Sequence, residues 1–217
     1  MVPAAVTRSL LGCGVLVGAF YVAVGVGQGL IRDGFSFARH PLSVLANGPG
    51  GWVQTANFVV SALMVLAAVA GMARVGAERS RGMRGALVVY ALGMIAAAIF
   101  PTDPIDGFPP GTPLGVPTAI STSGLVHLVA GAVTFVAMAV ACWAGARTMA
   151  KRGERGLSRL SLLAGFVVFL GFFGGAAFSS SVGGVAGIWL AVVMGWAWLA
   201  IVSRYYYYDQ VSPTPSR

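Results

Sequence analysis

The sequence predicts an all-α fold, a polytopic membrane bundle of six transmembrane helices with both termini in the cytoplasm. Three observations predict it. Of 217 residues, 57% are hydrophobic and only 9% charged, against ~25% charged in soluble domains. The apolar residues gather into six runs of at least 16 residues free of Asp, Glu, Lys and Arg, and a helix needs about 20 residues to cross a bilayer. The basic residues sit almost entirely on one side of that topology. Membrane-spanning strands would show alternation over segments of about ten residues, and the chain shows none.

The first run spans Ser9 to Ile31. Its "LLGC" ends at Cys13 ahead of the apolar stretch, the reverse of a lipoprotein cleavage site, so the run reads as an uncleaved anchor. The second spans Thr55 to Ala73. The third, "GALVVYALGMIAAAIF" from Gly85 to Phe100, is the shortest. At 1.5 Å per residue it reaches only about 24 Å, so flanking Met83, Arg84 and Thr102 are expected to complete the crossing. Pro101 stops it. The fourth run, Ser123 to Ala146, carries His127 near its start; Leu160 to Phe178 and Val185 to Ser203 complete the set. Gly14/Gly18, Gly25/Gly29, Gly171/Gly175 and Gly183/Gly187, each four apart, allow close backbone approach between helices. Cys13 and Cys142 both lie inside spans, where no structural disulfide is expected. Trp52, Trp189, Trp196, Trp198 and the run Tyr205 to Tyr208 read as belt and packing aromatics. The chain is thus one transmembrane domain over 1–204, followed by a short interfacial and disordered tail over 205–217.

A net charge of +8 raises the question of nucleic acid, and the positions of the charges answer it. Twelve of the 14 basic residues fall on one side: Arg8, Arg74, Arg79, Arg81, Arg84, Arg147, Lys151, Arg152, Arg155, Arg159, Arg204 and Arg217. Arg32 and Arg39 fall on the other. With the six acids divided evenly, the positive-inside rule places both termini and two arginine-rich loops in the cytoplasm, in the inner cell membrane. The partner this charge implies is the lipid bilayer and its anionic headgroups, and no nucleic acid.

Two long connections remain outside, Arg32 to Gln54 and Pro101 to Thr122. The second holds "FPTDPIDGFPPGTP", which concentrates two carboxylates and five prolines in an otherwise oily chain. Prolines stiffen it and Gly107 and Gly111 turn it, which shapes a wall or lid. Both histidines, His40 and His127, and three of the six acids belong to this side. Clustered titratable groups over one bundle mark a candidate site. Its candidate catalytic residues are His127, Asp103, His40 and Ser43, and its candidate binding residues are Asp106, Gln54, Asn57, Trp52 and Arg39. Each also has a structural use: Asp103-Pro104 and Asp106-Gly107 are turn pairs, Ser43 caps locally, Gln54 and Asn57 satisfy a helix end, and His127 binds a neighbouring carbonyl.

The segments "RDGFSFARHPLSVLANGPGGWVQTANF", "FPTDPIDGFPPGTP" and "SGLVH" resemble, in order and spacing, the domain of unknown function 998 family of bacterial membrane proteins, its actinobacterial branch in particular. The likeness runs from the first helix through the sixth. It implies a six-helix integral membrane protein and carries no established reaction. His40, Pro41, Ser43, Trp52, Gln54, Asn57, Asp103, Pro104 and His127 occupy positions similar to the family's motifs. Where relatives carry a further histidine just before Gly124, this chain has Ser123, which weakens any metal centre built on that histidine.

Several functional classes fit. One is an outward-facing enzyme, hydrolase-like or metal-dependent, acting on a lipid or lipid-linked substrate. Catalytic zinc takes three protein ligands, for which His40, His127 and Asp103 are the candidates for a divalent metal. A metal-free version would use Ser43 as nucleophile, without a G-x-S-x-G elbow in its support. A second class is a small uncoupled permease or lipid-binding protein, since the spans carry none of the acidic or basic residues of ion-coupled transporters. A third, bis-histidine haem, ranks last because His40 lies in a proline-restricted loop. A non-catalytic accessory or organising protein, working with a membrane-protein partner or as a homo-oligomer, completes the set.

Overall fold

The computed structural model describes residues 4–75 and 80–210. Six helices fill it: α1 (Ala4–Ile31), α2 (Gly51–Arg74), α3 (Arg81–Ile99), α4 (Thr122–Lys151), α5 (Arg155–Ala177) and α6 (Val182–Tyr205). All six are long and apolar enough to cross a membrane, so the chain is a multi-pass membrane protein. Among the described residues no strand forms, and a single bridge joins Ile105 to Phe108. The tail's 211–217, with Glu78, Arg79 and Arg217, lie outside the described residues.

Helix ends follow local chemistry. α3 reaches back to Arg81 and so takes in Met83 and Arg84 as expected, but Thr102 stays outside, because Phe100 caps the helix and Pro101 cannot extend it. At 19 residues α3 is about 28 Å long, enough for the ~30 Å hydrocarbon core with modest adjustment. α4 and α6 each begin on a serine cap, Ser121 accepting from the Gly124 amide and Ser181 from the Gly184 amide.

The helices run up and down in sequence, each packed on the next, and α6 returns to α1 to close a ring. Without a hydrophobic drive between helices in lipid, close packing of small residues holds such a ring together. A Cβ at Gly14 would collide with Ser203 and Ala68, one at Gly18 with Trp196, and one at Gly145 with Trp198. Gly171 and Gly175 seat against the backbone of Gly187 and Gly184. Gly25 and Gly29 serve differently from the expected helix contact: they admit Leu42 and the rings of Phe35 and Phe37 from the following loop.

The ring has two ends. The terminal face, where α1 starts and α6 finishes, is solid, with Leu11, Met72, Met83, Met149, Trp198 and Leu199 fully buried. The loop face carries the 32–50 and 100–121 segments, which cover the bundle as a joint roof.

Candidate functional site

The roof is built from side chains that bind backbone. Arg32, just past the end of α1, donates to the carbonyls of Leu45 and, at 2.6 Å, of Asn47. Its guanidinium also stacks 4.8 Å from the Phe108 ring centroid, tying the two long loops together. Leu42–Ala46 forms a short 3-10 helix under this clamp. His40 is fully buried. Its Nδ1 accepts from the Ser36 amide at 2.9 Å, and its Nε2 therefore carries the proton given to the Asp106 carbonyl at 3.1 Å. Burial, chiefly, pushes the His40 pKa below its ordinary value, with Arg39 adding to the effect and Asp106 opposing it. Asp106 is held in the left-handed region at φ 49°, and its carboxylate takes the Gly115 amide at 2.9 Å. The Arg39 Nη1 lies 3.6 Å from that carboxylate.

Asp103 serves α4. Its carboxylate accepts from the Ser121 amide at 3.0 Å, and a Cβ at Gly124 would collide with it. A carboxylate at a helix N-terminus is favoured by the exposed amides and the helix dipole. His127, one turn further along, is 7% exposed. Its Nδ1 lies 2.8 Å from the Phe100 carbonyl, which can only accept, so Nδ1 holds the proton and Nε2 keeps its lone pair.

Beneath the roof, in the loop-face half of the ring, lies a cavity of about 240 Å³. Every helix reaches its wall: Tyr21, Phe58, Ala97, His127, Phe172 and Val192 come from α1 to α6 in order. The lining is overwhelmingly apolar, and Arg39, Pro41 and Ser43 form its ceiling. Of the wall residues, His127 is the one whose ordinary pKa lies near neutrality.

All of this geometry falls within the span of a family match. The family model described as "Protein of unknown function (DUF998)" matches residues 15–205. The chain belongs to that family. No curated protein and no solved structure matches it. For this DUF998 member the match covers the roof, the cavity and the greater part of the ring.

The structure brings three of the sequence candidates to one wall, His127, Ser43 and Arg39. His40 meets Asp106 in the roof instead, and the expected metal ligands stand apart. Among the described residues no three His, Cys, Asp or Glu side chains are grouped to hold a metal ion. The expected set of His40, His127 and Asp103 is not assembled, because both His40 nitrogens are taken up by backbone and Asp103 is engaged at the start of α4. Trp52 is 73% exposed at the start of α2, as a belt residue would be. Gln54 and Asn57 do more than satisfy a helix end. Gln28 donates to Gln54 at 3.0 Å, Asn57 donates to the Tyr21 carbonyl at 3.1 Å, and Ser61 donates to Asn57 at 3.4 Å, forming a buried polar seam between α1 and α2. Sequence reasoning missed Arg32, Tyr21 and Gln28. The signal for Gln28 was available, since it is the one amide side chain within the first apolar run.

Proposed function

We propose that this protein binds a lipid or lipid-linked molecule at the outer face of the inner membrane, with the molecule's hydrocarbon in the loop-face cavity. The observation that carries this reading is an apolar chamber walled by all six helices and holding one buried imidazole. Basic residues crowd the opposite end, which by the positive-inside rule turns the loop face outward and the termini to the cytoplasm. A wall of this composition suits hydrocarbon, and Nε2 of His127 supplies one directed acceptor for a ligand hydroxyl or acid. Binding is favoured over hydrolysis because the two candidate carboxylates are engaged elsewhere than on the imidazole, Asp103 at the N-terminus of α4 and Asp106 on the Gly115 amide and Arg39.

Native mass spectrometry of protein released from lipid nanodiscs tests the reading. Wild type should carry one lipid per chain, and Ala97→Trp, which fills the cavity from α3, should lose it while retaining a cooperative thermal transition. His127→Ala should keep the chain but bind it more weakly. Bare polypeptide in the wild type would refute the proposal.

A further inference from the structure

Two features of the cavity go beyond its existence: where it opens and what adjoins it. Leu128 on α4 is 52% exposed on the membrane side, and Ala176 on α5 is exposed as well, yet both belong to the cavity wall. The chamber therefore reaches the bilayer between α4 and α5. The cause lies in the packing of α5. Its loop-side half is drawn onto α6, where a Cβ at Gly175 would stand 2.6 Å from the Gly184 carbonyl and one at Gly171 would stand 2.8 Å from that of Gly187. Toward α4, that half of α5 has a single ring contact, Phe135 stacked on Phe172 at 4.1 Å and 12°. In the other half the two helices meet closely, Trp143 filling the space beside Gly165. The Phe135–Phe172 stack thus stands between the two helices on the cavity wall, with exposed Leu128 and Ala176 beyond it toward the loop face.

Above this gap the apolar chamber shares Arg39, Ile105 and Ser179 with a second chamber, also of about 240 Å³. The second is the more polar of the two, with Asp106, Ser180 and Ser181 set among Ala38, Val116 and Val182. Its two charges already compensate each other, with Arg39 3.6 Å from Asp106.

We infer that the joined chambers take a single-chain lipid with a small, uncharged, hydroxylated head, which enters sideways from the bilayer between α4 and α5. The inference rests on the binding reading above. One chain is set by size, since the apolar chamber alone holds about 240 Å³. An uncharged head fits the compensated pair, which offers a phosphate no net charge, whereas hydroxyls hydrogen-bond to both partners and to the serines. Sideways entry follows from the roof, which Arg32 and His40 clamp from loop to loop.

The test uses the full chain in nanodiscs and a monoacylglycerol with a twelve-carbon chain ending in a diazirine, photolabelled at increasing times after mixing. Leu128→Trp, at an exposed position on the gap, should slow labelling at least tenfold, and by more than it lowers the final extent. Ala176→Trp on the facing helix is the second portal variant, used if the first melts early. Ala97→Trp should abolish saturable labelling. Unchanged rates in both portal variants, with labelling lost in Ala97→Trp, would overturn the entry route and leave the binding site standing. Labelling that also survives Ala97→Trp would overturn the binding reading as well. A lysophosphatidic acid probe of equal chain length that outcompetes the monoacylglycerol would overturn the assignment of the head.

Discussion

At the terminal face the six helices meet through glycine against side chain, and at the loop face the same helices stand around an opening. Gly14 against Ser203 and Gly145 against Trp198 leave no room for a methyl group. On the cavity wall, by contrast, a Cβ at Gly131 would stand at an ordinary 3.7 Å from the Phe172 ring. The same residue type therefore has opposite consequences at Gly14 and at Gly131. In the terminal half it removes bulk so that helices touch. Around the cavity α4 and α5 face each other through the Phe135–Phe172 stack, and loops that clamp one another roof the space, which leaves room for a guest. Stability resides at one end and the candidate site at the other.

The largest expected effect breaks the solid half. Gly14→Leu should cost about 3 kcal/mol by overpacking against α2 and α6, read as a lowered thermal midpoint in detergent. Gly131→Ala should stay within about 1 kcal/mol of wild type. Equal losses in the two would erase the contrast. Next comes the roof: Arg32→Ala removes charge-assisted hydrogen bonds to two carbonyls, at a cost of about 2 kcal/mol. Hydrogen exchange should speed up in 42–47 and 105–108, with the terminal half of each helix unchanged.

A smaller effect comes with acid. The folded roof holds His40 neutral, with its pKa lowered by burial, so below about pH 6.5 the unfolded chain binds a proton that the folded one resists. Stability is therefore full above that pH and falls as pH drops through it, levelling once the folded pKa is passed. Arg39 and Asp106 are the charged groups facing the ring. His40→Gln should flatten the dependence of 36–40 exchange between pH 7 and pH 5. An unchanged slope would remove His40 from the roof's pH response.

Much of this was legible in the sequence, for reasons particular residues make plain. Six charge-free runs predict six helices because bilayer thickness fixes helix length, and Pro101 marks the end of α3 because it cannot donate a backbone hydrogen bond. His127 reads correctly as one turn inside α4, since helical rise places it there. The cavity was not legible, because it arises where α5 leans onto α6 through Gly171 and Gly175, a tertiary choice that no local pattern encodes. His40 reads as a free site residue because its partners, Ser36 and Asp106, lie 4 and 66 positions away and act through backbone. Arg32 reads as a topology charge because its carbonyl partners have no sequence signature.

The most direct test of the central claim, that the loop-face half encloses a hydrocarbon chain, is to map where the diazirine monoacylglycerol attaches to the wild-type chain. Met94 and Ala97, 4% and 7% exposed, are walled off from bulk lipid, as are buried His127 and Thr134, so labels on these residues require a chain inside the ring. The account predicts that pattern. Labels confined to outward residues such as Leu162, Leu163 and Leu170 would contradict it.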